Sequence, residues 1–385
     1  MSSRETNPGD AAGTEAAGTD AAGTEAAGTS VDGRLLFVNL ELTLRCNLRC
    51  LHCGSTAGRP RRAELTTNQW IDVVGQLADL GCQEVCVLGG EPLVRRDWRD
   101  VASAICDHGM DLVLITNGWS VDEKVVRQLQ KLERLDRIGV SLDGADAQTH
   151  DRLRGRDGSF ERARGALWML RDAGFEVGAI TAVSRLNLEE LLPLRDLLVG
   201  QDITWQLQTV AGHGERWSPD WNLTPEQHYQ VAWFIAASRA ELGVKALPVA
   251  GSHGIGYHSD RISGYAELPD WPGCHGGLVT LGLCSNGDVK PCLSQPDSSV
   301  VGHLATRSLR EIWEDDRLFT RNRQFERTML DGFCAQCPHA MTCRGGCPNL
   351  PSASHGSDRD NAFCLYRLEQ EGRVPPDPLK EGWLR

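Results

Sequence analysis

The sequence predicts an α/β fold that ends in a small cysteine-rich domain, and three observations support this prediction. Six segments rich in Val, Ile and Leu alternate with segments of helical apolar spacing between about residues 36 and 243. Several of the helical segments end in Gly, as helix C-termini often do. From about residue 272 the pattern changes to short strands, turns and clustered cysteines.

The six predicted strands are bounded by Gly, Asp or Asn. They are "LFVNLELT" (36–43), "EVCVLGG" (84–90), "DLVLITNG" (111–118), "RIGVSLDG" (137–144), "EVGAITAV" (176–183) and "ITWQLQTV" (203–210). Because each parallel connection needs a crossover, strand–helix units in series favour a parallel sheet. A barrel and an open doubly wound sheet both satisfy the pattern, and both place functional loops at the C-terminal ends of the strands.

The rest of the chain divides by composition. Residues 11–30 repeat a five-residue Ala/Gly/Thr unit without large apolar side chains, so we predict a disordered tail over 1–34. A helix is predicted from "TPEQHYQVAWFIAASRAELG" (224–243), which closes a core domain over 35–245. A linker over 246–271, a cysteine-rich domain over 272–370 and a C-terminal tail over 371–385 are then expected.

Composition limits the class of protein. With 41% hydrophobic and 24% charged residues, the chain is typical of globular proteins, and its 385 residues are enough for two domains. No apolar run approaches the roughly 20 residues that span a bilayer, and the N-terminus lacks a secretory signal, so we expect a cytoplasmic protein. A net charge of −12 argues against a nucleic-acid partner.

Fourteen cysteines are unusual for a chain in reducing cytosol. Disulfides do not persist there, so grouped cysteines indicate metal binding or redox chemistry. One group directly follows the first predicted strand, and a second begins after residue 272. Cys82, Cys86 and Cys106 lie between the groups in apolar surroundings, and we predict that they are core thiols.

The first group is "RCNLRCLHC" (45–53), which contains Cys46, Cys50 and Cys53. Soft thiolates select zinc, copper(I) or iron–sulfur clusters. Structural zinc takes four ligands, so a zinc site would need a fourth ligand from elsewhere in the chain. The alternative is a four-iron cluster on three thiolates, which leaves one iron open for a ligand.

These residues resemble the radical S-adenosylmethionine (SAM) enzymes. "CNLRCLHC" fits their CxxxCxxC signature, and "GGEP" (89–92), "TNG" (116–118) and "SLDG" (141–144) follow the second, third and fourth strands as in that family. The resemblance spans roughly 36–370 and implies a partial (β/α)6 TIM-type barrel. It further implies a 4Fe–4S cluster on the three cysteines, SAM at the open iron, and reductive cleavage of SAM to a 5′-deoxyadenosyl radical that abstracts a substrate hydrogen.

The resemblance also implies which residues bind SAM. They are Gly89, Gly90 and Glu91 for the amino group, Ser141 and Asp143 for ribose or carboxylate oxygens, Asn117 near the same rim, Arg154 for the carboxylate, and His52 near the adenine. Glycines allow close backbone approach, a carboxylate accepts hydrogen bonds from an ammonium, and a guanidinium suits a carboxylate. For Arg154, a surface salt bridge is the alternative.

The second cysteine group resembles the seven-cysteine pattern of the SPASM extension of radical SAM enzymes. That family binds two auxiliary 4Fe–4S clusters, which makes three clusters in all. The implied ligands are Cys274, Cys292 and Cys347 for the first auxiliary cluster, and Cys334, Cys337, Cys343 and Cys364 for the second. Two zinc sites with four cysteines each are the alternative.

Cys284 is an eighth cysteine in this region. A regular two-residue hairpin around Asn286-Gly287 would pair Cys284 with Val289 and Cys292 with Leu281. Cys284 and Cys292 would then point to opposite faces, which argues against Cys284 as a ligand unless a bulge changes the register. Its two candidate roles are a fourth ligand of the first auxiliary cluster and a catalytic thiol that returns hydrogen to a substrate radical.

The resemblance implies an oxidoreductase-type, peptide-modifying enzyme of RiPP biosynthesis: a maturase that installs a crosslink, a ring or an epimerised residue in a ribosomally made precursor peptide. Expected partners are that peptide, a separate leader-peptide-recognition protein, and a reductase, ferredoxin or flavodoxin as electron donor. The loops at 208–217 and 251–261 are expected either to line the substrate cavity or to be surface loops. The alternatives are a non-peptide substrate in cofactor or metabolite biosynthesis, and a zinc-stabilised binding protein.

Overall fold

The computed structural model describes residues 33–212, 214–265 and 273–377. The predicted repeat tail lies outside the described residues except for its last two positions. Parts of the predicted linker and of the C-terminal tail also lie outside them.

Ten strands form one sheet in the order β10-β9-β8-β1-β2-β3-β4-β5-β6-β7. All six predicted strands are present, as β1 to β6. The strands are β1 (Phe37–Thr43), β2 (Glu84–Gly89), β3 (Asp111–Thr116), β4 (Leu135–Ser141), β5 (Val177–Val183), β6 (Thr204–Thr209), β7 (Val249–Gly251), β8 (Thr280–Leu283), β9 (Asp288–Lys290) and β10 (Gly302–His303).

The order of the strands decides between the two predicted architectures. β1 to β6 are parallel and neighbour one another in chain order. A doubly wound sheet reverses its order at a switch point, so the sequential order is that of a barrel. β8 continues the sheet beyond β1 and β7 continues it beyond β6, and no strand pair of the described chain joins the two edges. The structure is therefore a partial barrel, as predicted.

In the described residues, thirteen α-helices connect and flank the strands. They are α1 (Thr67–Asp79), α2 (Trp98–Asp107), α3 (Glu123–Leu129), α4 (Ala147–Arg154), α5 (Ser159–Asp172), α6 (Leu191–Leu198), α7 (Pro225–Ala246), α8 (Leu309–Trp313), α9 (Thr320–Arg323), α10 (Gly332–Gln336), α11 (Ala340–Cys343), α12 (Asn349–His355) and α13 (Leu365–Gln370). Gly243 breaks α7, because its φ of 67° lies outside the helical region. Within the described residues, no helix is long and apolar enough to cross a membrane.

The two faces of β1 show how the core and the site are separated. Leu40 and Leu42 are fully buried in one large apolar cluster with Trp70 of α1. Side chains alternate along a strand, so Glu41 and Thr43 point to the opposite face. Polar side chains on that face lie at the carboxyl edge of the parallel strands, where the barrel fold places functional groups.

The hairpin after β8 differs from the sequence prediction. Leu283 pairs with Val289, whereas the predicted two-residue turn pairs Cys284 with Val289. The Cys284 carbonyl accepts a hydrogen bond from the Gly287 amide, and the Cys284 amide donates to the Asp288 carbonyl. Gly287 has a φ of 92°, so the loop is a three-residue turn with a left-handed glycine. The predicted register was wrong, because the extra loop residue shifts the pairing by one.

The corrected register changes the predicted facing of Cys284 and Cys292. The predicted pairing of Cys292 with Leu281 does not hold, and the opposite-face argument against Cys284 as a ligand no longer applies. β8 also pairs in parallel with β1, from Phe37 opposite Thr280 onward. The hairpin expected in a separate small domain therefore extends the main sheet.

Candidate functional site

The first cysteine group and the predicted SAM contacts meet at the carboxyl edge of β1 to β4. The cysteine loop follows β1, residues 89–91 end or follow β2, residue 117 follows β3, and residues 141–143 end or follow β4. Asn117 Nδ2 lies 3.8 Å from Cys46 Sγ, and Arg154 Nη1 lies 3.8 Å from Cys50 Sγ. The loops after β3 and β4 therefore reach the thiols directly.

The environment of the three thiols suits a metal group. Burial raises the pKa of Cys46 to about 12, and burial also raises the pKa of Cys50. Backbone amides of Leu48 and Ala57 donate to the sulfurs of Cys46 and Cys53 at 3.4 and 3.2 Å. Buried thiols of this kind ionise when a metal binds, and amide donors then stabilise the thiolates.

Three cysteines with amide donors to two of their sulfurs fit a thiolate-bound iron–sulfur cluster. A structural zinc ion would need a fourth ligand. Within the part of the chain that the structure describes, no three His, Cys, Asp or Glu side chains form a group that could hold one metal ion.

Gly89 and Gly90 lie against the end of β1. A Cβ on Gly90 would lie 2.5 Å from the Arg45 carbonyl oxygen, and one on Gly89 would overlap the Thr43 carbonyl oxygen. Gly90 also donates from its amide to the Thr43 carbonyl at 2.8 Å. These glycines allow close approach of the chain to itself, and their predicted contact with the SAM amino group stays a prediction.

We expect Gly90→Ala to destabilise the protein by about 2–4 kcal/mol, because the carbonyl groups of Leu44 and Arg45 leave no space for a methyl group. The matched control is Gly165→Ala in α5, where nothing lies within 4 Å of the added Cβ. There alanine should stabilise the helix by about 0.5–1 kcal/mol. Anaerobic chemical denaturation measures both, and equal midpoints for the two variants would contradict the packing argument.

Glu91 is fully buried at the start of the loop after β2. Its carboxylate accepts hydrogen bonds from Thr116 Oγ1 at 2.8 Å, the Asn117 amide at 2.7 Å and the Leu93 amide at 3.1 Å. Burial raises the pKa of Glu91 to about 7. The contacts give Glu91 a positioning role, since they hold the segment that carries Asn117 beside Cys46. Its direct contact with the SAM amino group stays a prediction.

Asp143 and Arg154 form a buried ion pair. Arg154 Nε lies 2.7 Å from Asp143 Oδ2, and His52 Nε2 lies 3.3 Å from the same oxygen. The other carboxylate oxygen accepts from the Ala182 amide at 2.9 Å. Arg154 is 8% exposed, so the alternative of a surface salt bridge was wrong.

Burial and neighbouring charges together set the protonation states of Asp143 and His52. Burial alone would raise the pKa of Asp143, but the Arg154 guanidinium and His52 outweigh it and lower that pKa. Burial lowers the pKa of His52 to about 4, so its imidazole is neutral at pH 7. Arg154 therefore supplies a fixed positive charge beside Cys50, held in place by Asp143. Ser141 is half-buried at the end of β4, and its predicted contact with SAM stays a prediction.

The loop after β6 contacts the cysteine loop, which sequence reasoning missed. Arg216 Nε donates to the Cys50 carbonyl at 3.0 Å, and its Nη2 donates to the Ala57 carbonyl at 3.2 Å. A Cβ on Gly214 would overlap the Cys53 carbonyl. Arg216, in the 208–217 segment, thus holds the cysteine loop although it lies 166 residues from Cys50 in sequence. No local sequence pattern predicts such a contact.

The predicted ligands of the second auxiliary cluster line one cavity. They are Cys334, Cys337, Cys343 and Cys364, and the other lining residues include Phe333, Phe363 and Tyr366. Burial, together with neighbouring cysteines of the set, raises the pKa of Cys343 and of Cys364 to about 12. Four thiols in an apolar cavity suit a fully ligated iron–sulfur cluster.

The predicted ligands of the first auxiliary cluster form a separate set. Burial raises the pKa of Cys347 to about 12, and the nearby Cys274 and Cys292 thiols add to the rise. Tyr257 lies beside these three thiols and beside Cys343, so it lies between the two cysteine sets.

Cys284 lies among charged side chains. It is fully buried, and burial raises its pKa to about 12. The charged groups that act on it are Glu41, Lys290, Arg61 and Asp297, with no cysteine among them. The role of Cys284 as a fourth ligand of the first auxiliary cluster stays a prediction.

We expect Cys284→Ala to keep the iron content of wild type, because the charged groups Glu41, Lys290 and Arg61 act on this buried thiol. Cys347→Ala is the matched comparison and should lose about four irons per chain. Iron analysis and electron paramagnetic resonance of anaerobically purified proteins measure both. An equal loss of iron in Cys284→Ala would show that Cys284 is a fourth ligand.

Two protein-family models match different parts of the chain. A family model described as the radical SAM superfamily matches residues 40–198. A second, described as an iron–sulfur cluster-binding domain and named SPASM, matches residues 274–338.

Similar sequences include two with different activities. One is the AdoMet-dependent heme synthase of Methanosarcina barkeri, 31% identical over 346 residues that cover 85% of this chain and 95% of that protein. The other is the mycofactocin maturase MftC of Mycolicibacterium smegmatis, 30% identical over 350 residues that cover 88% and 86%.

Similar solved structures include SuiB of Streptococcus suis bound to S-adenosylmethionine, with a TM-score of 0.72 and 18% identity over 86% of this chain and 77% of that one. Another is anSMEcpe with bound AdoMet, with a TM-score of 0.67 and 17% identity over 88% and 96%. At these identities the likeness shows a shared fold.

Proposed function

The chain belongs to the radical SAM superfamily and carries a SPASM domain, and from this we propose that it is a maturase that modifies a ribosomally made precursor peptide. The observation that carries the proposal is the similarity to a mycofactocin maturase over 88% of the chain. A fold shared with SuiB, which has been solved with its precursor peptide SuiA, supports it further.

In this proposal Cys46, Cys50 and Cys53 hold a 4Fe–4S cluster. When bound, that cluster supplies the electron that cleaves SAM to a 5′-deoxyadenosyl radical. Arg154 places a positive charge beside the Cys50 sulfur, and Asp143 holds the guanidinium in place. A cation near a ligand sulfur favours the reduced cluster.

Two auxiliary 4Fe–4S clusters complete the proposal, on Cys274, Cys292 and Cys347 and on Cys334, Cys337, Cys343 and Cys364. Three clusters predict about twelve irons per chain.

A crosslink or a ring is a net two-electron oxidation and needs an electron acceptor, whereas epimerisation needs an accessible thiol as hydrogen donor. Cys284 is fully buried in a polar network, which supports an oxidative crosslink or ring over epimerisation with Cys284 as the donor.

A second candidate is a non-peptide reaction in cofactor biosynthesis. The 31% identity to an AdoMet-dependent heme synthase over 346 residues favours it. A Fe-coproporphyrin III synthase of the same organism is also 30% identical, so an iron tetrapyrrole is the matching test substrate.

The deciding experiment incubates the reconstituted enzyme with SAM, reductant and either substrate. We expect 5′-deoxyadenosine together with a precursor peptide, from a neighbouring open reading frame, that has lost two hydrogens. Mass spectrometry measures both products. A modified porphyrin with an unchanged peptide would establish the second candidate instead. The same proposal includes a separate leader-peptide-recognition protein, a flavodoxin- or ferredoxin-type electron donor and a cytoplasmic location.

A further inference from the structure

We propose that an exposed basic surface beside Cys46 is the docking face for an acidic electron-carrier protein of the flavodoxin class. The surface consists of Trp119, Arg49, Arg156 and Arg162, and we refer to it as the Trp119 patch. The proposal rests on the proposed function, because a reductively cleaved SAM requires an electron donor.

The patch is organised around one aromatic ring. The guanidinium carbon of Arg156 lies 3.4 Å from the centroid of the Trp119 ring, and that of Arg162 lies 5.7 Å from it. A Cβ on Gly155 would overlap the Arg49 carbonyl oxygen, so Arg49 lies beside the same loop, and its guanidinium lies near Gly58. The three arginines are exposed and Trp119 is half-exposed. Stacking on the ring fixes Arg156 and Arg162 at the surface.

The charge of the patch differs in sign from that of the chain. The whole protein has a net charge of −12, whereas three exposed arginines gather here. Asp157 is an exposed acid in the same loop, and the nearby Glu161 is paired with Arg164 at 2.7 Å. A local positive surface on an acidic protein steers an acidic partner to that surface.

Two residues connect the patch to the cysteine loop. The Trp119 amide donates to Asn117 Oδ1 at 2.9 Å, and Asn117 Nδ2 lies 3.8 Å from Cys46 Sγ. Arg156 Nη1 donates to the carbonyl of Asn47, the neighbour of Cys46, at 2.7 Å. Trp119 and Asn117 therefore connect the patch to a ligand sulfur.

The redox step is a single electron transfer. The reduced flavin of the carrier is oxidised by one electron, and the group held by Cys46, Cys50 and Cys53 is reduced by one. Carrier complexes of this kind are small and transient, so charge steering controls their formation. A small patch of one aromatic ring and three arginines suits such an interface better than a long peptide groove.

The test uses the reconstituted holoenzyme with a bacterial flavodoxin that is kept reduced by NADPH and flavodoxin reductase. We expect Arg162→Glu to raise the KM for flavodoxin about tenfold at low salt, and we expect Asp157→Lys to lower it. Both effects should shrink as ionic strength rises. Arg134→Glu, an exposed arginine before β4 at the opposite edge of the sheet, is the matched control and should leave the KM unchanged.

Two further measurements separate this proposal from the proposed function. With dithionite as the donor, all three variants should form 5′-deoxyadenosine at the wild-type rate. Calorimetric titration of oxidised flavodoxin into the holoenzyme measures docking without turnover, so the docking proposal stays testable if wild type cleaves no SAM. An unchanged KM and unchanged binding in Arg162→Glu would overturn the proposal. A rise in the KM for the peptide alone would assign the patch to the substrate instead.

Discussion

The Cys50→Ser protein is expected to lose SAM cleavage and about four irons per chain. Cys50 lies between the positive charge of Arg154, 3.8 Å from its sulfur, and the Arg216 side chain that holds its carbonyl. A serine hydroxyl does not ionise at neutral pH and is a poor ligand for iron in this setting. Iron analysis and chromatography of 5′-deoxyadenosine measure the two losses.

The matched control for this substitution is Cys106→Ala. Cys106 packs against the apolar core and lies in no cysteine set, so its variant should keep wild-type iron and activity. Normal cleavage of SAM by Cys50→Ser, or a similar loss of iron in Cys106→Ala, would contradict the assignment of the three-thiol loop.

The second large effect concerns the buried pair of Asp143 and Arg154. Asp143→Asn is expected to cost about 3–5 kcal/mol of stability, because it leaves the Arg154 charge buried without a partner. Arg154→Met should cost a similar amount by leaving the carboxylate alone. The double variant Asp143→Asn/Arg154→Met should recover most of the stability, since it removes both charges.

Activity separates the structural role of the pair from its electrostatic role. The double variant still lacks the positive charge beside Cys50, so we expect a lower midpoint potential and slow SAM cleavage despite restored stability. Anaerobic denaturation, potentiometric titration and product analysis measure these three properties. Full activity in the stable double variant would assign Arg154 to structure alone.

The same pair predicts a pH dependence. The pKa of Asp143 is lower in the folded protein than the roughly 3.9 of an unfolded chain. Its contribution to stability is therefore present above about pH 4 and is lost as pH falls through the folded pKa. The stability difference between wild type and Asp143→Asn should shrink with acidification below pH 4, and a constant difference would contradict the argument.

The sequence by itself determined the repeating strands, the first cysteine loop and the glycine-containing loop after β2. These features are local: apolar period, turn residues and cysteine spacing lie within a few residues of one another. Parallel strands in series then required the loops to meet at one edge. All six strands and the family were predicted correctly for this reason.

Only the tertiary structure decided the features that depend on distant residues. A single extra loop residue at Gly287 reversed the predicted faces of the hairpin, and β8 joined the sheet beside β1. Arg154 is the buried partner of Asp143 and does not form a surface salt bridge. Arg216 contacts the cysteine loop although it is distant in sequence. Register, burial and long-range contacts depend on how the whole chain packs, and one local pattern is compatible with several such packings.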